Sequence, residues 1–100
     1  MSTKKTKEVT AVEAAVNRRF FEVMEALQAT GLIKSMSGFC NDNGLSAPRY
    51  REMRLQYGVA PKPGRESRYN FVGADALHLL IIDYGVSGDW LLAGKGKMFR

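Results

Sequence analysis

The sequence has very little of several residue types. Its 100 residues include one cysteine, three prolines, one tryptophan and one histidine. A single cysteine, Cys40, excludes a disulfide framework or a cysteine-rich zinc site within the chain and favours a reducing setting. The longest apolar run, residues 79–82, is far too short to span a bilayer, and the polar, basic start of the chain does not have the pattern of a secretory signal. We therefore expect a cytoplasmic protein with no membrane partner.

The chain also contains no motif that indicates catalysis or a cofactor. Residues 94–97, GKGK, lack the spacing and the terminal hydroxyl residue of a phosphate loop, and no predicted strand precedes them. Glu22 and Glu25 form a carboxylate pair, but they lie on an exposed helical face without a base, a nucleophile or a metal ligand nearby. We expect no enzymatic activity, no cofactor, no metal site and no small-molecule substrate.

What the chain does have is an excess of positive charge on an ordinary globular composition. It is 45% hydrophobic and 25% charged, which is typical of one soluble domain. Fifteen lysines and arginines against ten acidic residues give a formal net charge of +5. A basic surface favours a polyanionic partner through electrostatic steering and counterion release.

Sequence patterns predict a short arm followed by one domain. Residues 1–9 contain three lysines and show no periodicity, so we predict a flexible basic arm. Residues 10–100 show no internal repeat or linker, so we predict a single domain. Its first helix begins at a capping box formed by Thr10 and Glu13 and ends at Gly31, a residue that accepts the left-handed conformation.

Four further helices are predicted, so the expected fold is all-α. Pro48 is compatible with a helix because it falls in a first turn, where no intrahelical donor is needed. Residues 59–73 are rich in proline, glycine and basic residues and are predicted to form a long loop, with a short extended piece at residues 68–72. The four helices are expected at about residues 35–43, from Ser46 to about 57, at about 74–84, and from Ser87 onward.

The second and third predicted helices are joined by a turn of Gly44, Leu45 and Ser46. This is the spacing of a helix-turn-helix, whose second helix lies in the major groove of DNA. Gly44 permits a sharp left-handed turn, and Cys40 is small enough to let the two helices cross closely.

Two motifs carry a resemblance to a known family. The pattern FCxxxGLSxxxYxxM at residues 39–53 resembles the helix-turn-helix of the phage repressor and Cro (Xre-type, λ-repressor-like) family. The ending YGVSGDWLLAGKGKMF at residues 84–99 is similar to that family's closing helix, and together the resemblance covers residues 35–99, about two thirds of the chain. It implies a five-helix λ-repressor-like DNA-binding domain that binds double-stranded operator DNA, usually as a homodimer.

The resemblance also implies which residues read bases, because the family uses the first turns of its third helix. The matching residues here are Ala47, Pro48, Arg51 and Glu52. A helical wheel places Pro48, Glu52 and Leu55 outermost, with Arg51 beside them. Arg51 suits a bidentate contact to guanine, and the carboxylate of Glu52 suits the amino group of cytosine.

Residues near the flanks of the third helix are better placed for phosphate than for bases. Arg49 and Arg54 lie there on the helical wheel. In the family, phosphate is also bound at the start of the second helix and in the loop after the third. The phosphate-binding residues that this implies are Ser35, Ser37, Lys62, Arg65 and Arg68.

These patterns predict a sequence-specific DNA-binding transcriptional regulator, a repressor of phage or mobile-element type that occupies a promoter operator. The apolar and acidic centre of the third helix, with Pro48, Glu52 and Leu55, leaves one alternative open. In that alternative the chain is a protein-interaction module, or an antitoxin-like protein, that keeps the fold with weak or no DNA readout. Salt dependence separates the two, because each phosphate contact contributes about 0.9 to the slope of log affinity against log salt.

Overall fold

The computed structural model describes residues 8–100, so residues 1–7 of the predicted basic arm lie outside the described residues. Within the described part the fold is all-α, with no strand and a single antiparallel bridge between Val86 and Phe99. The all-α prediction is therefore confirmed. The five helices are α1 (Ala11–Ala29), α2 (Met36–Asp42), α3 (Ala47–Tyr57), α4 (Ala74–Tyr84) and α5 (Gly88–Ala93).

Helix ends follow the local signals in the sequence. The Thr10 hydroxyl accepts from the Glu13 N–H at 3.1 Å, and the Glu13 carboxylate accepts from the Thr10 N–H at 3.0 Å, which confirms the capping box. Gly31, just beyond the end of α1, has a φ of +82°, in the left-handed region. Helices α2, α3 and α5 each begin after a serine whose side chain accepts from a backbone N–H three residues later, and these serines are Ser35, Ser46 and Ser87.

The core is organised around α1, which packs against α3 and α5. Phe20, Val23 and Leu27 on α1 are fully buried. The ring of Phe20 meets that of Tyr50 on α3 at a centroid distance of 5.2 Å. Because α2 packs on α3 in turn, the position of α3 is fixed from both sides.

Helices α2 and α3 pack against each other, and the small residues Cys40 and Gly44 lie at their junction. Cys40 is fully buried, and its carbonyl accepts from the Leu45 N–H at 2.8 Å across the turn. Gly44 has a φ of +71°, where a side chain would be strained. Burial raises the pKa of the Cys40 thiol, partly opposed by the charge of Arg51, so the residue acts as a small neutral apolar group.

The segment between α3 and α4, residues 58–73, has no helix or strand. The extended piece predicted at residues 68–72 pairs with no strand among the described residues. Side chains from α1 and α3 bind its backbone instead, as for Asn17 and the carbonyl of Asn70. This long loop is therefore part of the packed fold.

We expect Cys40→Leu to lower the free energy of unfolding by about 1–3 kcal/mol, because the larger side chain overpacks the crossing of α2 and α3. Thermal unfolding followed by circular dichroism measures the effect as a fall in Tm. The matched control is Asn41→Leu, since Asn41 is exposed on the same helix and should tolerate the same side chain. Equal melting temperatures for Cys40→Leu and the unmodified protein would contradict the close crossing.

Candidate nucleic-acid interface

Helix α3 carries most of the predicted DNA-binding residues, and the first of its faces is buried. Ala47 is only 5% exposed and lies in the core with Tyr50, Met53 and Tyr57. Ala47 precedes Tyr50 by three residues and so shares its side of the helix. The methyl group of Ala47 is therefore turned towards the core, which disfavours the predicted contact with bases.

Arg49, on the next face of α3, is bound to the loop. Its Nη2 donates to the carbonyl of Phe71. Its guanidinium carbon also lies 5.3 Å from the ring centroid of Tyr50 and 5.5 Å from that of Tyr69, within the range of cation–π interaction. The half-buried guanidinium therefore holds the loop against α3, which leaves less of it accessible for the predicted phosphate contact.

Glu52 lies on the same face and binds Arg68 from the loop. The carboxylate of Glu52 accepts from the backbone N–H of Arg68 at 2.7 Å, from its Nε at 3.2 Å and from its Nη2 at 3.0 Å. The side-chain hydrogen bond from Arg68 is the main reason why the pKa of the Glu52 carboxyl lies below its ordinary value. A contact from Glu52 to cytosine, as predicted, would therefore have to compete with Arg68. The predicted phosphate contact of Arg68 faces the same competition, since its side chain is 78% exposed but already has a carboxylate partner.

Asn17 on α1 holds the loop from the other side, and sequence reasoning missed it. Its side-chain Nδ2 donates to the Asn70 carbonyl at 2.9 Å, and its Oδ1 accepts from the Val72 N–H at 3.0 Å. Asn17 is 2% exposed. The available signal was a polar residue on the apolar face of α1, three positions before the buried Phe20.

Two more side chains of α3 complete the binding of the loop. The Gln56 side-chain oxygen accepts from the Ser67 N–H at 2.7 Å. The Tyr50 hydroxyl accepts from the Gly73 N–H at 3.0 Å. We call residues 67–73 the docked loop, since side chains of α1 and α3 bind its backbone at both ends and in the middle.

The third face of α3 points outward. Pro48, Arg51 and Arg54 are exposed there, and Leu55 is half-buried. Arg51 Nη1 donates to the hydroxyl of Ser37 at the start of α2, at 3.3 Å. The structure thus brings together one predicted base-reading residue and one predicted phosphate-binding residue across the two helices.

Ser35, another predicted phosphate-binding residue, already has a structural role. Its hydroxyl accepts from the Gly38 N–H at 3.0 Å as the N-cap of α2. A hydroxyl group can also donate, so this cap leaves its proton available to a phosphate oxygen. Ser35 therefore remains compatible with the prediction.

Exposed cations continue from α3 onto the first part of the loop. Lys62 lines the same surface depression as Arg54 and Leu55. The loop folds over the end of α3 because the Lys62 N–H donates to the Leu55 carbonyl at 2.9 Å, and the Arg65 N–H donates to the Lys62 carbonyl at 3.3 Å. We call the resulting surface the basic face, defined by Ser37, Pro48, Arg51, Arg54, Lys62 and Arg65.

The described part of the chain offers no competing site for a metal ion. Among residues 8–100, no group of three or more histidine, cysteine, aspartate or glutamate side chains has an arrangement that could hold one. None of the helices described is both long and apolar enough to cross a membrane.

Comparisons with protein-family models, with curated proteins and with solved structures give no match to this chain. Function is therefore inferred from the basic face and the docked loop.

The Glu52–Arg68 pair should make stability depend on pH. Because the folded protein lowers the pKa of Glu52, its ionised form stabilises the fold above the ordinary glutamate pKa of about 4.3, and this contribution is lost as the pH falls through the lower folded value. Glu52→Gln should be less stable than the unmodified protein at pH 7, and the gap should close towards about pH 2. Urea unfolding at both pH values measures it.

The matched control for this experiment is Glu66→Gln, an exposed position in the same loop. Its stability difference from the unmodified protein should be small at both pH values. If the difference in unfolding free energy between Glu52→Gln and the unmodified protein were the same at neutral and acid pH, the charge of the carboxylate would contribute nothing to stability.

Proposed function

We propose that this protein is a sequence-specific DNA-binding transcriptional regulator of the helix-turn-helix, λ-repressor-like type, and that it represses by occupying a promoter operator. The observation that carries the proposal is the exposed guanidinium of Arg51 on the outward face of α3, held by Ser37 of α2 and continued by exposed cations. The family resemblance of residues 35–99 supports the same function.

Base readout in this proposal belongs to the outward face of α3. An α-helix fits the major groove, where guanine presents two acceptors to a planar guanidinium. Arg51 supplies that group, and the hydroxyl of Ser37 limits its rotation before DNA binds. Pro48 lies on the same face one turn earlier and Leu55 one turn later, so both suit thymine methyl groups.

Phosphate binding belongs to the edge of the basic face. Arg54, Lys62 and Arg65 are exposed and follow one another from the end of α3 into the loop. Contacts of this kind fix the register of a protein on the duplex without reading sequence. They also release counterions, which makes the affinity fall steeply with salt.

A homodimer on a palindromic operator is part of the proposal. Arg51 is the one exposed arginine at the centre of the outward face, so a single protomer reads few base pairs. Two copies of α3 in successive major grooves would double the readout and require half-sites about 10 bp apart. A cytoplasmic location fits such a regulator.

One observation favours the alternative of a protein-interaction module. Val59 is 59% exposed and lines a depression with Leu55 and Ala60 at the end of the basic face. An apolar surface beside cations suits an acidic protein partner as well as DNA. An antitoxin-like protein would bind its protein partner at the apolar depression and DNA at the basic face.

The experiment that tests the proposed function is selection from a pool of random duplex DNA at moderate salt, followed by sequencing of the retained molecules. Enrichment of a palindrome with half-sites about one helical turn apart is the expected result. Retention without enrichment would refute sequence-specific readout. No retention at any salt would refute DNA binding and favour the protein-interaction module.

We expect Arg51→Ala to relax the base preference at one position of each half-site, with a loss of about 1–3 kcal/mol of discrimination. Competition binding between the selected site and a site changed at that position measures the loss.

Arg54→Ala should weaken binding to both sites alike and lower the salt slope by about 0.9 per phosphate contact.

The charge-matched control for Arg51→Ala is Lys95→Ala, an exposed residue after α5. It removes one positive charge that lies outside α3 and the long loop, and it should change neither discrimination nor the salt slope. If Arg51→Ala kept the full base preference, Arg51 would be a phosphate contact and the readout would lie elsewhere.

A further inference from the structure

Asn17 is the one polar side chain in the buried core of the described residues, with 2% of its surface exposed. An amide in such a place destabilises the fold unless its donor and its acceptor are both satisfied. Both are satisfied, and both hydrogen bonds go to the docked loop, which lies 53 and 55 residues further along the chain. The side-chain amide of Asn17 therefore binds the docked loop and not its own helix.

Asn17 binds the docked loop at two points, and we call this pair of hydrogen bonds the clamp. Its Nδ2 binds the carbonyl of Asn70 while its Oδ1 binds the N–H of Val72. A donor and an acceptor used two residues apart along the loop fix which residues face the amide, as in the pairing of two strands. A slip of the loop by one residue would break both bonds.

The clamp acts on Lys62 and Arg65 through the chain, because both residues precede the docked loop in the same long segment, residues 58–73. Glu52 binds the N–H of Arg68, close to the clamped residues. At the other end, the Lys62 N–H is bound to the Leu55 carbonyl of α3. Arg65 lies between these two attachments, so its backbone has little freedom relative to α3.

We propose that Asn17 is a positioning residue for DNA binding, an inference that rests on the proposed function. By clamping the docked loop, Asn17 holds Lys62 and Arg65, which precede it in the chain, beside Arg54, so that the three cations meet one phosphate backbone together. Groups that are ordered before binding lose less entropy when the complex forms. Asn17 itself is buried beneath this surface and contacts no DNA.

The test compares Asn17→Leu with the unmodified protein, by binding to a short random-sequence duplex over a range of salt concentrations. The variant retains every charge of the protein and loses both hydrogen bonds of the clamp. We expect the slope of log affinity against log salt to fall by about 0.9 for each phosphate contact that the loop no longer makes. Hydrogen exchange of the Val72 N–H should become faster.

The matched control is Val23→Ala, a fully buried position on the same helix. Its apolar side chain makes no hydrogen bond to the docked loop, so the variant should destabilise the core and keep the original salt slope. All measurements are made at a temperature at which circular dichroism shows each protein to be folded. If Asn17→Leu does not fold, Asn17→Ser and Gln56→Ala, which weaken the attachment of the loop at two different points, replace it in the same comparison.

An unchanged slope in the folded Asn17 variant would overturn the inference and leave the proposed function intact. An equal fall of the slope in Val23→Ala would also overturn it, because the effect would then follow general destabilisation. If the unmodified protein bound no DNA at any salt, the proposed function would fail, and the inference would fail with it.

Discussion

The structure depends on satisfying the backbone of a long loop that forms no helix or sheet. Backbone N–H and C=O groups packed against a protein need partners, and here side chains provide them. Five side chains bind the loop backbone between residues 67 and 73: Asn17, Gln56, Tyr50 and Glu52, together with Arg49, which binds the carbonyl of Phe71. Because four of these five side chains belong to α3, the same helix supports the loop, contributes to the core and presents the basic face.

Because α3 also supports the loop and the core, few of its polar side chains are accessible to the DNA of the proposed function. Of its three arginines, Arg49 is bound to the loop, Arg54 lies towards the end of the helix, and Arg51 alone is at the centre of the outward face. Glu52, the other polar residue suited to base contacts, is held by Arg68. Under the proposed function, so few readout groups would require two copies of the domain for specificity, and the docked loop would fix the positions of its phosphate contacts.

The parts of the fold that could be predicted from the sequence are those set by local signals. Thr10, Ser46 and Gly44 act on residues within a few positions of themselves, and each has the predicted role. The side chains whose contacts could not be predicted have distant partners: Arg49 binds residue 71, Glu52 binds residue 68 and Asn17 binds residues 70 and 72. A helical wheel shows which side chains point outward from a helix, but it contains no information about a loop that returns to cover one flank.

The same reasoning bears on what net charge means for this chain. The formal charge of +5 counts Arg49 and Arg68, although one is half-buried against aromatic rings and the other is paired with a carboxylate. At the edge of the basic face, the exposed cations that suit phosphate are Arg54, Lys62 and Arg65. At about 0.9 per phosphate contact, three such contacts would give a salt slope of about 2.7 for one protomer, before any contribution from residues 1–7. The slope therefore measures how the cations are arranged, which net charge alone does not reveal.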